Sequence, residues 1–187
     1  MITPQKFLFP AILIGSIVLA LVAHLLTNTQ IAIAATPAAA ASQPAASSET
    51  TTTCSLALPA TISDWCSLIE TASKTYGVPA ELVAAVMLQE SGGQATVISA
   101  SGAVGLLQVM PSDGIAASFM CGNGPCFSSR PSTQQLLNPA FNVDYGVRML
   151  ANLIQKYGSE RDALKAYGPY DVGYYYADKV LAIQNNL

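Results

Sequence analysis

An apolar stretch near the N-terminus divides this chain into segments of very different composition. Residues 7–26 contain no Asp, Glu, Lys or Arg, whereas residues 35–53 carry a single acidic residue among Ala, Ser, Thr and Pro. A segment of the second kind buries too little apolar surface to offset the entropy of ordering, so we expect a disordered linker over 35–53. The core must therefore form within residues 54–187, a length that suits one domain.

Residues 1–34 have two interpretations. Small residues at 32–34 follow the apolar stretch, as they do at a signal-peptide cleavage site. The stretch is also long enough to cross a bilayer as an uncleaved anchor, in which case the membrane is a partner. Both interpretations place the domain outside the cytoplasm, so we expect an exported protein that is secreted or held at the cell envelope.

The charge balance restricts the partners. The formal net charge is −3, and the chain contains no run of Lys and Arg. Binding to nucleic acid depends on clustered basic residues that neutralise phosphates. We therefore predict no nucleic-acid partner, and we expect a monomer.

The four cysteines indicate an oxidising compartment rather than a metal site. They all lie in the exported part, at Cys54, Cys66, Cys121 and Cys126. Three pairings are open, and the short Gly-Asn-Gly-Pro loop favours Cys121–Cys126, which leaves Cys54–Cys66. The spacings do not fit a zinc site, and the only histidine, His24, lies in the apolar stretch. We predict no metal and no cofactor.

Apolar residues recur every three or four positions over most of the remaining sequence, which predicts a mainly α-helical domain. Thr61 and Asp64 resemble a capping pair at the start of the first helix. Residues 94–134 are rich in Gly, Ser and Pro, so we expect loops around a short helix there, with a small β-ribbon near Val97–Ile98. The predicted helices are approximately 62–76, 79–91, 138–157, 159–167 and 171–183.

Glu90 is the acidic residue whose position suggests chemistry. Without a histidine in the domain, carboxylates and tyrosines are the remaining groups for proton transfer. Glu90 shares the apolar side of its helix with Val86 and Met87, just before the Gly92–Gly93 break. Apolar surroundings raise the pKa of a carboxyl group and make it a general acid at neutral pH. The alternative is an ordinary glutamate at a helix end that points into solvent.

Two runs around Glu90 resemble the signature of a known family. Residues 88–91 read LQES, and residues 99–111 read SASGAVGLLQVMP. They resemble soluble-type (SLT) lytic transglycosylases, whose pattern is a Glu-Ser pair and then Ser-x-x-Gly-Ala-x-Gly-Leu-Met-Gln-Ile-Met-Pro. Leu107 replaces the Met and Val109 the Ile. Three later segments, within a resemblance that covers about residues 62–183, match the family's NPxxNxxxG helix (138–146), its Ala-Tyr motif (166–167) and its closing helix (176–180).

The resemblance implies a goose-type lysozyme-like fold and cleavage of the β-1,4 bond between N-acetylmuramic acid and N-acetylglucosamine in peptidoglycan. The product would be a 1,6-anhydro-N-acetylmuramic acid end. Glu90 would be the single catalytic acid and base, and Ser91 would orient it. Gln108 would contact sugar, Met110 would form apolar cleft wall, and Tyr167 would hydrogen-bond near the substrate acetamido group or Glu90.

One departure from the family pattern falls directly after Tyr167 and removes an amide from the expected substrate contact. The family has Asn after this tyrosine, whereas the chain continues with Gly168-Pro169-Tyr170. The tyrosines at 174–176 fit helix packing, with one ring reaching the cleft.

Three alternative functions stay open at this point. A hydrolysing lysozyme of the same fold would need a second carboxylate or a held water, for which Asp113 and Asp144 are the candidates. A catalytically dead cell-wall-binding module would not need Glu90 at all. A structural protein on the lipid side is the third alternative, and the motif argues against it.

Overall fold

The computed structural model describes residues 54–187, which belong to one compact unit built mainly from α-helices. The predicted mainly helical fold is therefore confirmed. The elements of the described residues are six α-helices, one two-stranded ribbon and two short 3₁₀ turns. The helices are α1 (Cys66–Tyr76), α2 (Ala80–Glu90), α3 (Thr133–Leu136), α4 (Pro139–Tyr157), α5 (Glu160–Tyr167) and α6 (Tyr175–Gln184). The strands are β1 (Met120–Cys121) and β2 (Gly124–Pro125), and the 3₁₀ turns are Ser63–Trp65 and Gly114–Ser118.

Helix α2 lies at the centre of the core. Residues 82–87 are all buried, so the middle of this helix has no solvent-facing side. A helix that is buried all round needs neighbours on several sides. Helices α1 and α6 pack directly against α2, while α4 packs against α1 and α5. Exposure is confined to the two ends of α2, Ala80 and Glu81 at its start and the half-buried residues 88–90 at its end.

The predicted helix ends agree with local backbone chemistry. Gly77 and Gly158 are in the left-handed conformation after α1 and α4, and their N–H groups bond back to the last turns. The side chain of Asn138 accepts a hydrogen bond from Phe141 N at the start of α4, and Pro139 occupies the first turn. Ser159 caps α5 by accepting from Asp162 N.

The expected starts of the first and last helices were wrong. A 3₁₀ turn precedes α1, and no side chain caps either segment. The N–H groups there bond to backbone carbonyls instead, Ile62 N to Pro59 O and Trp65 N to Ile62 O. Helix α6 begins at Tyr175 rather than near residue 171, because Gly173 takes a left-handed conformation that interrupts the helix.

The middle segment contains a ribbon, but not where we expected it. Near Ile98 the pairing consists only of single bridges, Ile98 with Val104 and Val104 with Val109. The ribbon is instead the antiparallel pair β1–β2. A tight turn closes it, and the disulfide Cys121–Cys126 lies across its base.

Both favoured disulfides are present. Cys54–Cys66 joins the start of the described residues to the first turn of α1, and Cys121–Cys126 closes the ribbon. No helix within residues 54–187 is long and apolar enough to cross a membrane. The signal peptide or anchor expected over 1–34 and the linker expected over 35–53 lie outside the described residues.

Candidate active site

Glu90 occupies the point where the central helix leaves the core. Residues 82–87 of α2 are buried, while residues 88–90, and with them the Glu90 side chain, are half-buried. Glu90 is the last residue of the helix, and Gly92 N bonds back to the carbonyls of Met87 and Leu88. Burial raises the pKa of Glu90 from 4.5 to about 7. The carboxyl group therefore keeps a substantial protonated fraction, about half, at neutral pH, which is the form that a general acid needs.

Tyr176 is the direct partner of this carboxyl group. Its hydroxyl, from α6, donates a hydrogen bond to Oε1 of Glu90. This bond stabilises the carboxylate and lowers the pKa of Glu90, but the effect of burial is larger. Burial, with the nearby Glu90 charge, also raises the pKa of the Tyr176 hydroxyl. Tyr176 thus remains a neutral donor across the physiological pH range.

The Tyr167 hydroxyl donates to the carbonyl of Leu107 at 2.8 Å rather than to Glu90. Burial, followed by the charge of Glu90, raises its pKa above the ordinary value for tyrosine. Tyr167 therefore lies close enough to Glu90 for the carboxylate charge to affect its pKa. Its hydrogen bond holds residues 104–109, which we call the motif loop.

The motif loop is also fixed by one buried amide. Asn142, on α4, is fully buried. Its Oδ1 accepts from Leu107 N at 2.9 Å, and its Nδ2 donates to Val104 O at 2.8 Å and to Leu136 O at 2.9 Å. Asparagine suits this position because its side chain both donates and accepts.

Two glycines allow α4 and the motif loop to approach closely. Gly105 has φ +75°, and a Cβ there would lie 2.4 Å from Asn142 Nδ2. A Cβ on Gly146 would lie 2.6 Å from Leu107 Cδ1. The asparagine and glycine of the NPxxNxxxG segment thus have a structural explanation, since they hold the loop against α4.

Gln108 is held in an unusual backbone conformation within the motif loop. Its φ is +44°, which is uncommon for a residue with a side chain. Its Nε2 donates to Gly105 O at 2.9 Å and to Val97 O at 3.2 Å. The side chain is half-buried and oriented by its own loop. Backbone strain of this kind is often found at functional sites.

Ser91 and Met110 are placed differently from one another. Ser91 is buried, and its Oγ donates to Leu106 O at 2.9 Å and accepts from Gly93 N at 3.1 Å. Its bonds connect the end of α2 to the motif loop and do not include the Glu90 carboxyl group. Met110 is half-buried and lies outside the main hydrophobic core.

The missing asparagine after Tyr167 has a steric reason. Gly168 lies against the ring of Tyr176, and a Cβ there would be 2.4 Å from Tyr176 Cγ. Any side chain at 168 would displace the tyrosine that contacts Glu90. Glycine in place of the family's asparagine therefore leaves room for the Tyr176 ring.

Tyr176 was the residue that sequence reasoning did not single out. The run Tyr174–Tyr176 was expected to contribute one ring to the cleft, with no basis for choosing among the three. The helical register of α6 was the available signal, because Val180 lies four residues beyond Tyr176 on the same side. In the structure both residues are buried, and so is Ala177.

Comparison with known proteins identifies the family. The transglycosylase SLT domain model matches residues 67–177, more than half of the chain. The chain belongs to the transglycosylase SLT domain family. This agrees with the lysozyme-like fold that the motif resemblance implied.

Two curated relatives are similar over about half of this chain. The endo-type membrane-bound lytic murein transglycosylase A of Citrobacter koseri is 37% identical over 89 residues, which are 48% of this chain and 42% of the relative. The membrane-bound lytic murein transglycosylase E of Buchnera aphidicola is 33% identical over 97 residues, 52% of this chain and 42% of the relative. The match thus spans about two fifths of the length of each relative.

A solved structure of the lytic transglycosylase Slt from Pseudomonas aeruginosa, an inactive mutant, is also similar. The sequence identity is 22% and the TM-score is 0.49, and the match covers 63% of this chain and 23% of that chain.

Proposed function

We propose that the chain is a peptidoglycan lytic transglycosylase in which Glu90 is the catalytic acid and base. The observation that carries this proposal is the half-buried Glu90 carboxyl group, whose pKa is raised to about 7 while Tyr176 donates to it. Family membership and relatives named lytic murein transglycosylases support the choice of substrate.

The proposed reaction needs one carboxyl group and no water. Protonated Glu90 donates its proton to the glycosidic oxygen that links N-acetylmuramic acid to N-acetylglucosamine, and the bond from that oxygen to the anomeric carbon breaks. The 6-hydroxyl of the same muramic acid then attacks the anomeric carbon, and the Glu90 carboxylate takes its proton. A 1,6-anhydro ring forms, and the carboxyl group returns to its starting state.

The other predicted residues have supporting roles in this proposal. Gln108, fixed by its strained backbone, contacts sugar, and Met110 contributes apolar wall next to it. Tyr167 acts by holding Leu107, so it positions the motif loop. Ser91 holds the same loop through Leu106 and acts on Glu90 only through that loop.

The hydrolase alternative has less support from the described residues. Asp113 accepts hydrogen bonds from Thr133 N and Oγ1, at 2.8 and 2.5 Å, and these bonds hold its pKa below the usual range. Asp144 accepts from the Tyr76 hydroxyl at 2.6 Å. Both carboxylates are exposed and engaged in contacts between structural elements, which is not the environment of a catalytic base aimed at a held water.

We place the enzyme outside the cytoplasm, at the cell envelope. Two disulfides suit an oxidising compartment. The relatives named above are described as membrane-bound. The N-terminal apolar segment would serve as export signal or anchor.

Product analysis tests the proposal. Digestion of purified sacculi should release muropeptides whose N-acetylmuramic acid ends are lighter by one water than the reducing ends released by a hydrolysing lysozyme from the same preparation. Mass spectrometry of the two digests measures this difference. Full-mass reducing ends would assign the hydrolase reaction, and no release at all would assign a binding module.

The phenylalanine variant of Tyr176 should change the pH profile. Tyr176→Phe removes the donor that lowers the pKa of Glu90, so the pKa should rise above about 7. The alkaline limb of kcat/KM, which reports loss of the protonated acid, should therefore move to higher pH. We expect about a tenfold lower kcat from poorer positioning.

The neighbouring Tyr175→Phe is the matched control for this prediction, because Tyr175 is 70% exposed. It should leave both the profile and kcat unchanged. If the alkaline limb of Tyr176→Phe lay at the same pH as that of the wild type, it would contradict the hydrogen bond from Tyr176 to Glu90.

A further inference from the structure

A groove separate from Glu90 lies on the side of α5 that is turned away from the core. Its volume is about 470 Å³, within the range of roughly 300–1,000 Å³ for small-molecule sites. Neither Glu90 nor the motif loop lines it. The lining side chains that bear on its chemistry are three tyrosines and two charged groups, namely Tyr157, Tyr170, Tyr174, Asp162 and Lys165.

Two of the three rings are held in place by charged neighbours. The Tyr174 hydroxyl donates to Asp162 Oδ1 at 2.6 Å, and Arg161 and Lys165 lie 3.9 and 4.4 Å from the centre of its ring. Lys156 lies 5.0 Å from the centre of the Tyr157 ring. Rings fixed in this way lose little conformational freedom when a ligand binds.

The exposure of the Tyr170 ring is not explained by packing within the fold. Its side chain is fully exposed, at 103% of the reference surface. It follows Gly168 and Pro169, the segment in which the chain departs from the family pattern. Exposed aromatic side chains beside a groove are typical of binding surfaces, since they supply large contact area with few rotatable bonds.

We propose that this groove binds a pyranose unit of a glycan strand, as a second saccharide site beside the one at Glu90. The exposed Tyr170 ring packs against a C–H face of the sugar ring, while the remaining lone pairs of the Asp162 carboxylate and the Lys165 ammonium hydrogen-bond its hydroxyls. Lys165 forms no ion pair with the residues that the structure describes, and its ammonium lies over the Tyr174 ring at the groove. The groove offers no strand edge for a peptide to extend, which favours a saccharide over a stem peptide.

The groove adjoins the catalytic centre through one residue. Gly168 lines the groove and also lies against the ring of Tyr176, whose hydroxyl bonds to Glu90. A second contact with the same polymer raises its effective concentration at the first site. This inference rests on the proposed function, because it takes the same glycan as the ligand.

The test measures binding and cleavage separately in Tyr170→Ala. Retention on glycan strands stripped of peptide should weaken roughly five- to tenfold, and KM for long strands should rise by a similar factor. The shortest fragment that the wild type cleaves should be turned over unchanged. Tyr175→Ala is the matched control, because Tyr175 is exposed and next to Tyr174 but does not line the groove; it should change neither quantity.

Several results would overturn the second site. Unchanged retention of Tyr170→Ala on stripped strands would do so, and so would a loss seen only with peptide-bearing strands, which would assign a peptide site. An equal loss with the shortest fragment would make Tyr170 part of the cleavage site. If the wild type cleaves no glycan, the proposed function is wrong. If the wild type cleaves glycan but Tyr170→Ala has no effect, only the proposed second saccharide site is wrong.

Discussion

Glu90→Gln should lower kcat for release of muropeptides from purified sacculi by about 10³- to 10⁴-fold. General acid–base catalysis is typically worth about 10² to 10⁴ in rate, and here one carboxyl group carries both proton transfers. The amide keeps the size of the side chain and its ability to accept from Tyr176, but it supplies no proton. Substrate binding should persist, so the loss should fall on kcat rather than on KM.

Glu81→Gln is the matched control, since Glu81 lies in the first turn of the same helix and is exposed. Its activity should equal that of the wild type. Activity of Glu90→Gln within a few-fold of the wild type would remove Glu90 from the mechanism and with it the proposed function.

The stability of the same variant reports the protonation of Glu90 independently of activity. Between pH 4.5 and about 7 the unfolded chain releases the Glu90 proton while the folded chain keeps it. The free energy of unfolding of the wild type must therefore fall as pH rises through this window. Glu90→Gln lacks this loss, so relative to the wild type it should gain roughly 3 kcal/mol between pH 4 and pH 8. Urea unfolding at the two pH values measures the difference, and a constant difference would contradict the raised pKa.

The helices were predictable because their signals are local. Asn138 and Pro139 start α4, Gly77 and Gly158 end helices through left-handed backbone, and the apolar spacing of three and four fixes the buried sides. Where the local signal was ambiguous the prediction failed. Gly173 makes α6 begin later than predicted. The N–H groups before α1 bond to backbone carbonyls rather than to a capping side chain.

The candidate site was predictable only in part, because its contacts join distant parts of the chain. The position of Glu90 beside buried residues of α2 was readable from helix periodicity. Its partner Tyr176 lies 86 positions away, and only the packing of α6 against α2 brings the two together. Adjacency in sequence gave Ser91 no bond to Glu90, because Ser91 follows the end of α2 and its Oγ bonds to Leu106 O in the motif loop.

The motif loop is held by long-range hydrogen bonds whose loss should be costly, and Asn142→Ala tests this directly. The substitution leaves Leu107 N, Val104 O and Leu136 O without their side-chain partner in a fully buried environment. Each buried polar group left unsatisfied costs about 1–3 kcal/mol, and partial relaxation reduces the sum. We expect the free energy of unfolding to fall by about 3–5 kcal/mol, measured by urea denaturation.

Asn152→Ala, at an exposed position on the same helix, is the matched control and should change stability by less than about 0.5 kcal/mol. Asn142→Asp gives a second measure of the same contacts. Its carboxylate still accepts from Leu107 N, but it cannot donate to Val104 O and Leu136 O, and it buries a charge. Asn142→Asp should therefore be strongly destabilised at neutral pH and should recover part of its stability as acidification protonates the new carboxyl group. If both variants lay within 1 kcal/mol of the wild type, α4 would not be what holds Gln108 and the motif loop beside Glu90.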